Sequence, residues 1–193
     1  MMPSGTQKLT WGLFVSVMPL FWGGLGILLP VLYVYHELSV GFWVGGCLLA
    51  FLLLIAIFDF QYGLIFDRLL APMLLIGSGF RFAFPLWEWP QPGMGLLFGA
   101  GILFLLRFLS HGGIGMGDVK MGGVLGVWLG AEGVFLTLML AFLLGGLCAA
   151  WLLCRRSHTW RDQIPFGPFL SLSAWLVYLY GKTFLIVYGE LWL

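Results

Sequence analysis

Two aspartates, Asp59 and Asp118, are the residues whose positions first indicate chemistry. Asp59 ends the apolar run FLLLIAIFDF, and no basic residue occurs in the twenty positions before it. A charged side chain in lipid costs about 2.5–3.5 kcal/mol at the bilayer centre and less near the interface. The position therefore predicts either a functional carboxyl that has a partner or an interfacial end to an apolar helix.

Asp118 lies in the segment HGGIGMGDVKMGG, where four glycines occupy the six positions before it. An aspartate at a helix start is stabilised as a cap and by the helix dipole, which is the structural interpretation of Asp118. That interpretation does not account for the glycines, which let a substrate strand or a neighbouring helix approach the backbone closely. Lys120 is predicted either to act on a nearby carboxylate, of Asp118 or of a substrate, or to snorkel to the interface and set topology.

A pair of aspartates on one membrane face suits the hydrolysis of a peptide bond. Two carboxyls within hydrogen-bonding reach cannot both ionise, so the pair shares a proton. The ionised member takes a proton from water, and the protonated member donates to the carbonyl oxygen. This chemistry needs no cofactor and no metal, and we expect neither. The choice of base stays open, because the titration belongs to the pair.

The composition indicates that lipid surrounds most of the chain. Of its 193 residues, 61% are hydrophobic and 9% are charged, and the mean hydropathy is +1.03. Soluble domains carry about 25% charged residues, because they must present polar surface to water. The net charge of +1 gives no indication of nucleic-acid binding. The three cysteines, Cys47, Cys148 and Cys154, are far apart and are predicted to be small buried residues.

The apolar segments predict an all-α, polytopic membrane helix bundle that forms one membrane-embedded domain over residues 1–193. A span needs about 20 apolar helical residues, which gives about seven transmembrane helices, with six to eight compatible. The fifth segment is short and rich in glycine, which predicts a half-span or tight packing against neighbours. The first segment is too long for the apolar core of a cleavable signal, so it is expected to remain as a span. The predicted spans are 10–34, 39–58, 69–87, 93–110, 119–131, 134–154 and 167–189.

The distribution of charge orients this bundle. With the N-terminus inside, Lys182 falls on the outer side and Arg81 within the third span. The other basic residues gather on the inner side: Lys8, Arg68, Arg107, Lys120, Arg155, Arg156 and Arg161. The positive-inside rule makes this side cytoplasmic. The four aspartates lie there too, namely Asp59, Asp67, Asp118 and Asp162, whereas the glutamates Glu37, Glu88, Glu132 and Glu190 lie opposite.

Three blocks in this order resemble one family, the type IV prepilin peptidases of the G-x-G-D class of intramembrane aspartyl proteases. The segment GMGDVK at 115–120 is similar to the family's G-x-G-D-x-K. Asp59 and Asp67 in DFQYGLIFD resemble its first-aspartate block, and IPFGPF at 164–169 resembles its late I-P-F-G-P block. The resemblance covers roughly residues 40–175.

The resemblance implies a catalytic pair, Asp59 and Asp118, in the bacterial inner membrane with the active site facing the cytoplasm. The implied substrate is a prepilin or pseudopilin helix, cut after the glycine that precedes its hydrophobic segment. Partners would be these substrate helices and the lipid bilayer, with no nucleic acid and an oligomeric state left open. Auxiliary or substrate-contact candidates are Asp67, Gly115, Gly117 and Lys120.

Two departures from the family pattern qualify this hypothesis. Gln61 and Phe66 stand where members commonly carry an acid and a proline, which leaves the shape of the first loop and the role of Asp67 open. The paired C-x-x-C region that many bacterial members carry is absent from this sequence, so we expect peptidase activity without an S-adenosylmethionine site. Alternatives are a peptidase for other single-span helices and a small transporter or assembly scaffold whose buried carboxyls carry protons.

Overall fold

The computed structural model describes residues 4–36, 39–84, 92–154 and 165–191. Within these ranges the chain forms helices and contains no strand, so the prediction of an all-α bundle is confirmed. The six helices are α1 (Ser4–His36), α2 (Val40–Tyr62), α3 (Asp67–Ala83), α4 (Pro92–Leu109), α5 (Met116–Cys154) and α6 (Gly167–Leu191).

The bundle presents an apolar surface, as a membrane protein does. Two helical segments are long and apolar enough to cross a bilayer, Val40–Tyr62 and Met116–Trp151, and Met18–Val34 and Gly93–Leu109 are shorter apolar helices. Large side chains such as Trp22, Phe60 and Phe82 are exposed on the surface. Contiguous apolar surface of this kind is compatible with lipid as the solvent and unfavourable in water.

Helix α5 covers the two segments that were predicted as the fifth and sixth spans. It runs for 39 residues and is interrupted only at Gly130, whose φ of 72° and ψ of 179° are not helical. A positive φ of this size is readily adopted by glycine and strains other residues. The chain therefore continues past this point as a broken helix, and the number of membrane crossings stays a prediction.

The first half of α5 is the centre of the bundle. All ten residues from Met121 to Gly130 are buried, and α5 packs against α3, α4 and α6. A helix that is buried on every side has no polar face, so its sequence lacks an amphipathic pattern. Asp118 lies one turn before this buried stretch and is therefore attached to the least mobile part of the fold.

Helices α4 and α5 touch backbone to backbone along a ladder of glycines. Gly95 faces Gly126, and one turn away Gly99 faces Gly122. A Cβ at Gly95, Gly99 or Gly126 would overlap the backbone of the opposite helix, and a Cβ at Gly122 would lie 2.6 Å from the Leu103 side chain and 3.0 Å from the Gly99 carbonyl oxygen. Glycines four residues apart on both helices allow this close antiparallel approach. Of the two alternatives for the glycine-rich fifth segment, tight packing against a neighbour is thus confirmed.

Side-chain hydrogen bonds also hold the loop that joins the antiparallel helices α4 and α5. At the end of α4, the Arg107 guanidinium donates a hydrogen bond to the carbonyl of Ile114. The Ser110 hydroxyl donates to the Arg107 carbonyl at 3.2 Å and accepts from the Gly113 N–H at 3.1 Å. Arg107, predicted from charge alone to set topology, therefore also holds the loop that leads to Asp118.

Two further contacts tie the outer helices to this centre. The Trp128 indole N–H donates to the Met73 carbonyl at 3.0 Å and joins α5 to α3, where Gly77 leaves room for the indole ring. The Tyr178 hydroxyl donates to the Gly41 carbonyl at 2.7 Å and joins α6 to the start of α2. One hydrophobic core links all six helices, since its buried members come from each of them.

Alanine at Gly99 is expected to destabilise the protein, because its Cβ would overlap the Gly122 backbone. Overpacking of this kind costs about 1–3 kcal/mol. Thermal unfolding in detergent would measure the effect. Gly101→Ala is the matched control on the same helix, since no atom lies within 4 Å of a Cβ there. Equal melting temperatures for the two variants would contradict the ladder.

Arg107→Ala is expected to loosen the loop that follows α4. Loss of a hydrogen bond from a charged donor should raise amide exchange at Gly112 and Gly113 about tenfold or more. Hydrogen–deuterium exchange followed by mass spectrometry measures this, and Arg68→Ala, on exposed α3, is the control. Unchanged exchange in Arg107→Ala would mean that the guanidinium does not hold the loop.

Candidate functional site

Asp59 lies in the last turn of α2 and points into the bundle. The helix ends at Tyr62, and Gly63, with φ of 63°, donates its N–H to the Asp59 carbonyl at 2.7 Å. A glycine in the left-handed conformation is a common helix stop. The Asp59 side chain is only 5% exposed, although it stands one turn from the end of its helix. The carboxyl is thus buried, and the interfacial end-cap interpretation does not describe it.

The main partner of Asp59 comes from the start of α6. The Gly167 N–H donates a hydrogen bond to Asp59 Oδ2 at 2.8 Å. A Cβ at position 167 would lie 2.6 Å from that oxygen and 3.0 Å from the Asp59 Cβ, so only glycine fits. The sequence analysis included Gly167 in the IPFGPF block at 164–169 but gave it no role of its own. The available signal was its position at the first turn of a helix, next to proline.

Asp118 is the third residue of α5 and closes the start of that helix. The backbone of Gly115, the residue just before the helix, hydrogen-bonds to the Asp118 carboxyl. A third-position side chain that reaches back in this way is one half of a capping box. A Cβ at Gly115 would lie 2.9 Å from Asp118 Oδ2. The capping interpretation is therefore correct, and the glycine is needed for it.

The second oxygen of Asp118 is in a different state. Oδ1 is buried and has no hydrogen-bond partner among the described residues. Leaving a buried acceptor unpaired costs about 1–3 kcal/mol, and more when the group is charged. One oxygen of the side chain thus caps its helix, and the other remains available to bind a proton or to accept a hydrogen bond.

The structure brings Asp59 and Asp118 together from two helices that are far apart in sequence. The Asp59 carboxyl lies close enough to act electrostatically on the Asp118 carboxyl. Lys120, two residues after Asp118, pairs with Asp67 instead. Two neighbouring carboxyls that are largely shielded from water do not readily ionise together, so this arrangement favours one shared proton.

Gly117 holds the connection between α2 and α3 against the start of α5. A Cβ at Gly117 would lie 2.9 Å from the Ile65 Cβ and 3.5 Å from the Ile65 carbonyl oxygen. Ile65 belongs to the short loop that follows Asp59, so this contact places the two aspartate-bearing elements side by side. Of the two residues that depart from the family's first-aspartate block, Phe66 packs edge-on against Phe58, with ring centroids 5.5 Å apart, and Gln61 is exposed on the last turn of α2.

Asp67 and Lys120 form an ion pair away from the two buried aspartates. Lys120 Nζ lies 2.7 Å from Asp67 Oδ2, and the side chains are 48% and 68% exposed respectively. Lys120 therefore pairs with Asp67 at the mouth of the site and not with Asp118. The pair borders an open groove of about 470 Å³ lined by Leu64, Ile65, Phe66, Asp67, Arg68, Gly117 and Lys120.

The donor set of this site consists of two carboxyls and backbone amides. Among the residues whose placement is described, no cluster of three or more histidine, cysteine or acidic side chains could hold a metal ion. Two neighbouring carboxyls that share a proton can transfer protons to and from a water molecule and a substrate.

Some residues used in the sequence analysis lie outside the described part of the chain. These are Glu37, Glu88, Arg155, Arg156, Arg161, Asp162 and Ile164, together with the side chains of Lys8, Lys182 and Glu190. The predicted orientation in the membrane depends partly on them and stays a prediction.

Comparison with known proteins places this site in a family. The model of the type IV leader peptidase family matches residues 46–150, which include both aspartates. The chain is 29% identical over 140 residues to a prepilin leader peptidase/N-methyltransferase of Bacillus subtilis, covering 72% of this chain and 56% of that protein. Proteins of the same name from Pseudomonas putida and Burkholderia pseudomallei are 31% identical over 136 residues and 33% identical over 162. The matches cover 67% and 75% of this chain and 47% and 50% of those proteins, respectively.

The chain spans about half the length of the curated relatives it matches. No solved structure matches it. The matched segment runs from the middle of α2 to the end of α5 and so contains the helices that carry both aspartates. On this match, over more than half of its residues, the chain belongs to the type IV leader peptidase family.

Proposed function

We propose that the chain is an intramembrane aspartyl endopeptidase in which Asp59 and Asp118 are the catalytic pair. The observation that carries the proposal is the convergence of the buried Asp59 carboxyl, from the end of α2, and the half-buried Asp118 carboxyl, from the start of α5. Shielding two neighbouring acids from water in a membrane protein is unfavourable unless they serve a purpose. Both acids lie within the segment that matches the leader peptidase family.

The reaction proceeds by general acid–base catalysis. The ionised carboxyl removes a proton from water, whose oxygen attacks the scissile carbonyl carbon, while the protonated carboxyl donates to the carbonyl oxygen. The tetrahedral intermediate then collapses: the carbon–nitrogen bond breaks, the proton first taken from water goes to the leaving nitrogen, and one hydroxyl proton of the intermediate returns to the carboxyl that had donated. Both carboxyls are then in their starting states, and the reaction has consumed one water molecule per peptide bond.

The substrates in this proposal are type IV prepilins or pseudopilins, whose leader peptides are removed. The support is the name of the relatives, prepilin leader peptidase/N-methyltransferase. Methyl transfer is part of that name for the relatives, and the expectation that this chain lacks it stays a prediction. The open groove beside Asp67 and Lys120 would give the cleaved segment a route from the membrane surface to the buried pair.

The proposed location is the inner membrane, with the pair opening to the cytoplasm. The asymmetric distribution of basic residues along the sequence supports this orientation. We further propose that residues 1–193 act as one membrane-embedded domain, because helices α1 to α6 share a single hydrophobic core.

Replacement of either aspartate by asparagine is expected to abolish cleavage of a purified prepilin in detergent. Each variant keeps the shape of the side chain but loses a carboxyl that can take up or release a proton. Such general acid–base catalysis contributes about 10²–10⁴-fold to the rate. The matched control is Glu132→Gln on α5, whose carboxyl is roughly 20 Å along the helix from Asp118. Densitometry of precursor and mature pilin measures the rates.

Normal cleavage by either Asp59→Asn or Asp118→Asn would exclude the pair as the catalytic centre. Cleavage of unrelated single-span helices at an equal rate would retain the pair but broaden the substrate class. Proton flux in liposomes, together with no proteolysis by the wild-type protein, would favour the transporter alternative over the peptidase.

Removal of the Asp67–Lys120 ion pair is expected to change stability little. Exposed ion pairs contribute about 0.2–1 kcal/mol, and both side chains here are substantially exposed. A double-mutant cycle with Asp67→Asn and Lys120→Met, followed by chemical unfolding in mixed micelles, measures the coupling. A coupling energy well above 1 kcal/mol would mean that the pair has a structural role that its exposure does not indicate.

A further inference from the structure

We infer that Gly167 is a positioning residue that fixes Asp59 as the ionised, water-activating member of the pair and leaves Asp118 as the proton donor. The inference rests on the proposed peptidase function and assigns roles within it. It follows from the different partners that the protein gives to the two carboxyls.

The partner of Asp59 is suited to a negative charge. The Gly167 N–H is one of the first amides of the 25-residue helix α6, which have no acceptor within their own helix. Such amides carry the positive end of the helix dipole and make short, charge-assisted hydrogen bonds to carboxylates. The bond of 2.8 Å to Asp59 Oδ2 is buried, where competition from water is weakest.

The surroundings of Asp118 suit a protonated carboxyl instead. One oxygen of Asp118 accepts a hydrogen bond from the Gly115 backbone, as Asp59 Oδ2 does from Gly167, but Oδ1 is buried without a partner in the part of the chain that the structure describes. An ionised Oδ1 would be an unpaired buried acceptor, which is costly. A proton on Oδ1 converts it into a donor that can reach the neighbouring carboxylate or, later, the carbonyl oxygen of a substrate.

The exclusive contact between Gly167 and Asp59 explains why this position must be glycine. Any side chain would begin 2.6 Å from Asp59 Oδ2 and would force the carboxyl away from the amide. Glycine here is not required by a positive φ, since Gly167 is absent from the positive-φ residues of the described chain. The constraint is therefore the approach of the carboxylate to the backbone.

Few other charged groups lie where they could determine which of the two aspartates carries the shared proton. Asp59 acts on the Asp118 carboxyl, and Asp67 is paired with Lys120 at the surface. The remaining ionisable side chains described on the helices packed against α2 are Tyr33 and His36 on α1, Arg68 and Arg81 on α3, and Tyr178 and Tyr180 on α6. Of these, Arg81 donates to the Val127 carbonyl at 3.3 Å, and Tyr178 donates to the Gly41 carbonyl at 2.7 Å.

The assigned roles give a balanced cycle. Asp59 takes a proton from water as the new carbon–oxygen bond forms, and Asp118 gives its proton to the carbonyl oxygen. On collapse, the carbon–nitrogen bond breaks, the Asp59 proton moves to the nitrogen, and one hydroxyl proton of the intermediate returns to Asp118.

The first test observes the carboxyls directly, without substrate. The chain contains four aspartates, so protein labelled with ¹³C at the aspartate Cγ gives few signals, each assigned through its Asp→Asn variant. We expect Asp59 to be ionised at the pH at which the wild-type protein cleaves, with Asp118 protonated. The reverse order, with Asp118 ionised and Asp59 protonated, would overturn the inference whether or not the protein cleaves prepilin.

The second test uses Gly167→Ala against Gly146→Ala, a position where no atom lies within 4 Å of a new Cβ. Because the new Cβ forces the carboxyl away from the Gly167 amide, Asp59 loses this hydrogen bond and should protonate more readily. The acidic limb of the pH profile of kcat/KM should therefore move to higher pH by about one unit. A merely structural role would lower the rate equally at every pH. If Gly167→Ala cleaves with an unshifted limb, the inference fails while the peptidase function stands.

Taken together, the two tests decide the inference for each possible behaviour of the Gly167→Ala variant. If Gly167→Ala is inactive at every pH, its ¹³C titration replaces the rate measurement, and an Asp59 signal that titrates as in the wild-type protein would contradict the role of Gly167. If the variant does not fold, the order of ionisation in the wild-type protein decides. Absence of cleavage by the wild-type protein would count against the proposed function and not against the assignment of the proton.

Discussion

The requirement that two neighbouring carboxyls, one buried and one half-buried, be stabilised inside a bundle in lipid governs the packing of its helices. A protein in lipid cannot surround such groups with water, so it must stabilise them with its own donors. Here the donors are backbone amides at two helix starts, Gly167 for Asp59 and Gly115 for Asp118. The end of α2 and the starts of α5 and α6 must therefore lie at the same level of the bundle, and the packing of the other helices maintains this alignment.

Glycine is the residue that makes this alignment compatible with close packing. Gly115 and Gly167 admit a carboxyl oxygen to the backbone, and Gly117 admits the loop that follows α2. Away from the site, the ladder of Gly95, Gly99, Gly122 and Gly126 fixes how far α4 and α5 slide past each other. Because the interaction of two acids depends steeply on their separation, a register fixed by backbone contact suits their pairing.

The sequence alone allowed the helical class, the membrane environment and the importance of Asp59 and Asp118 to be predicted, because each depends on composition or on a local pattern. The partner of Lys120 was not predictable, since its ion pair with Asp67 depends on how the loop after α2 folds back. The role of Gly167 was missed for the same reason. Its contact with Asp59 joins residues 108 positions apart, and no local pattern reports such a distance.

The interruption of α5 at Gly130 separates a buried segment of the helix from a more exposed one. The ten residues up to this point are clamped on all sides by core contacts, whereas several side chains beyond it, such as Met139 and Leu147, face outward. The non-helical backbone at Gly130 is a point at which the helix axis can bend. A tilt of the outer segment at this glycine would leave the buried segment that follows Asp118 in place, whatever the thickness of the surrounding bilayer.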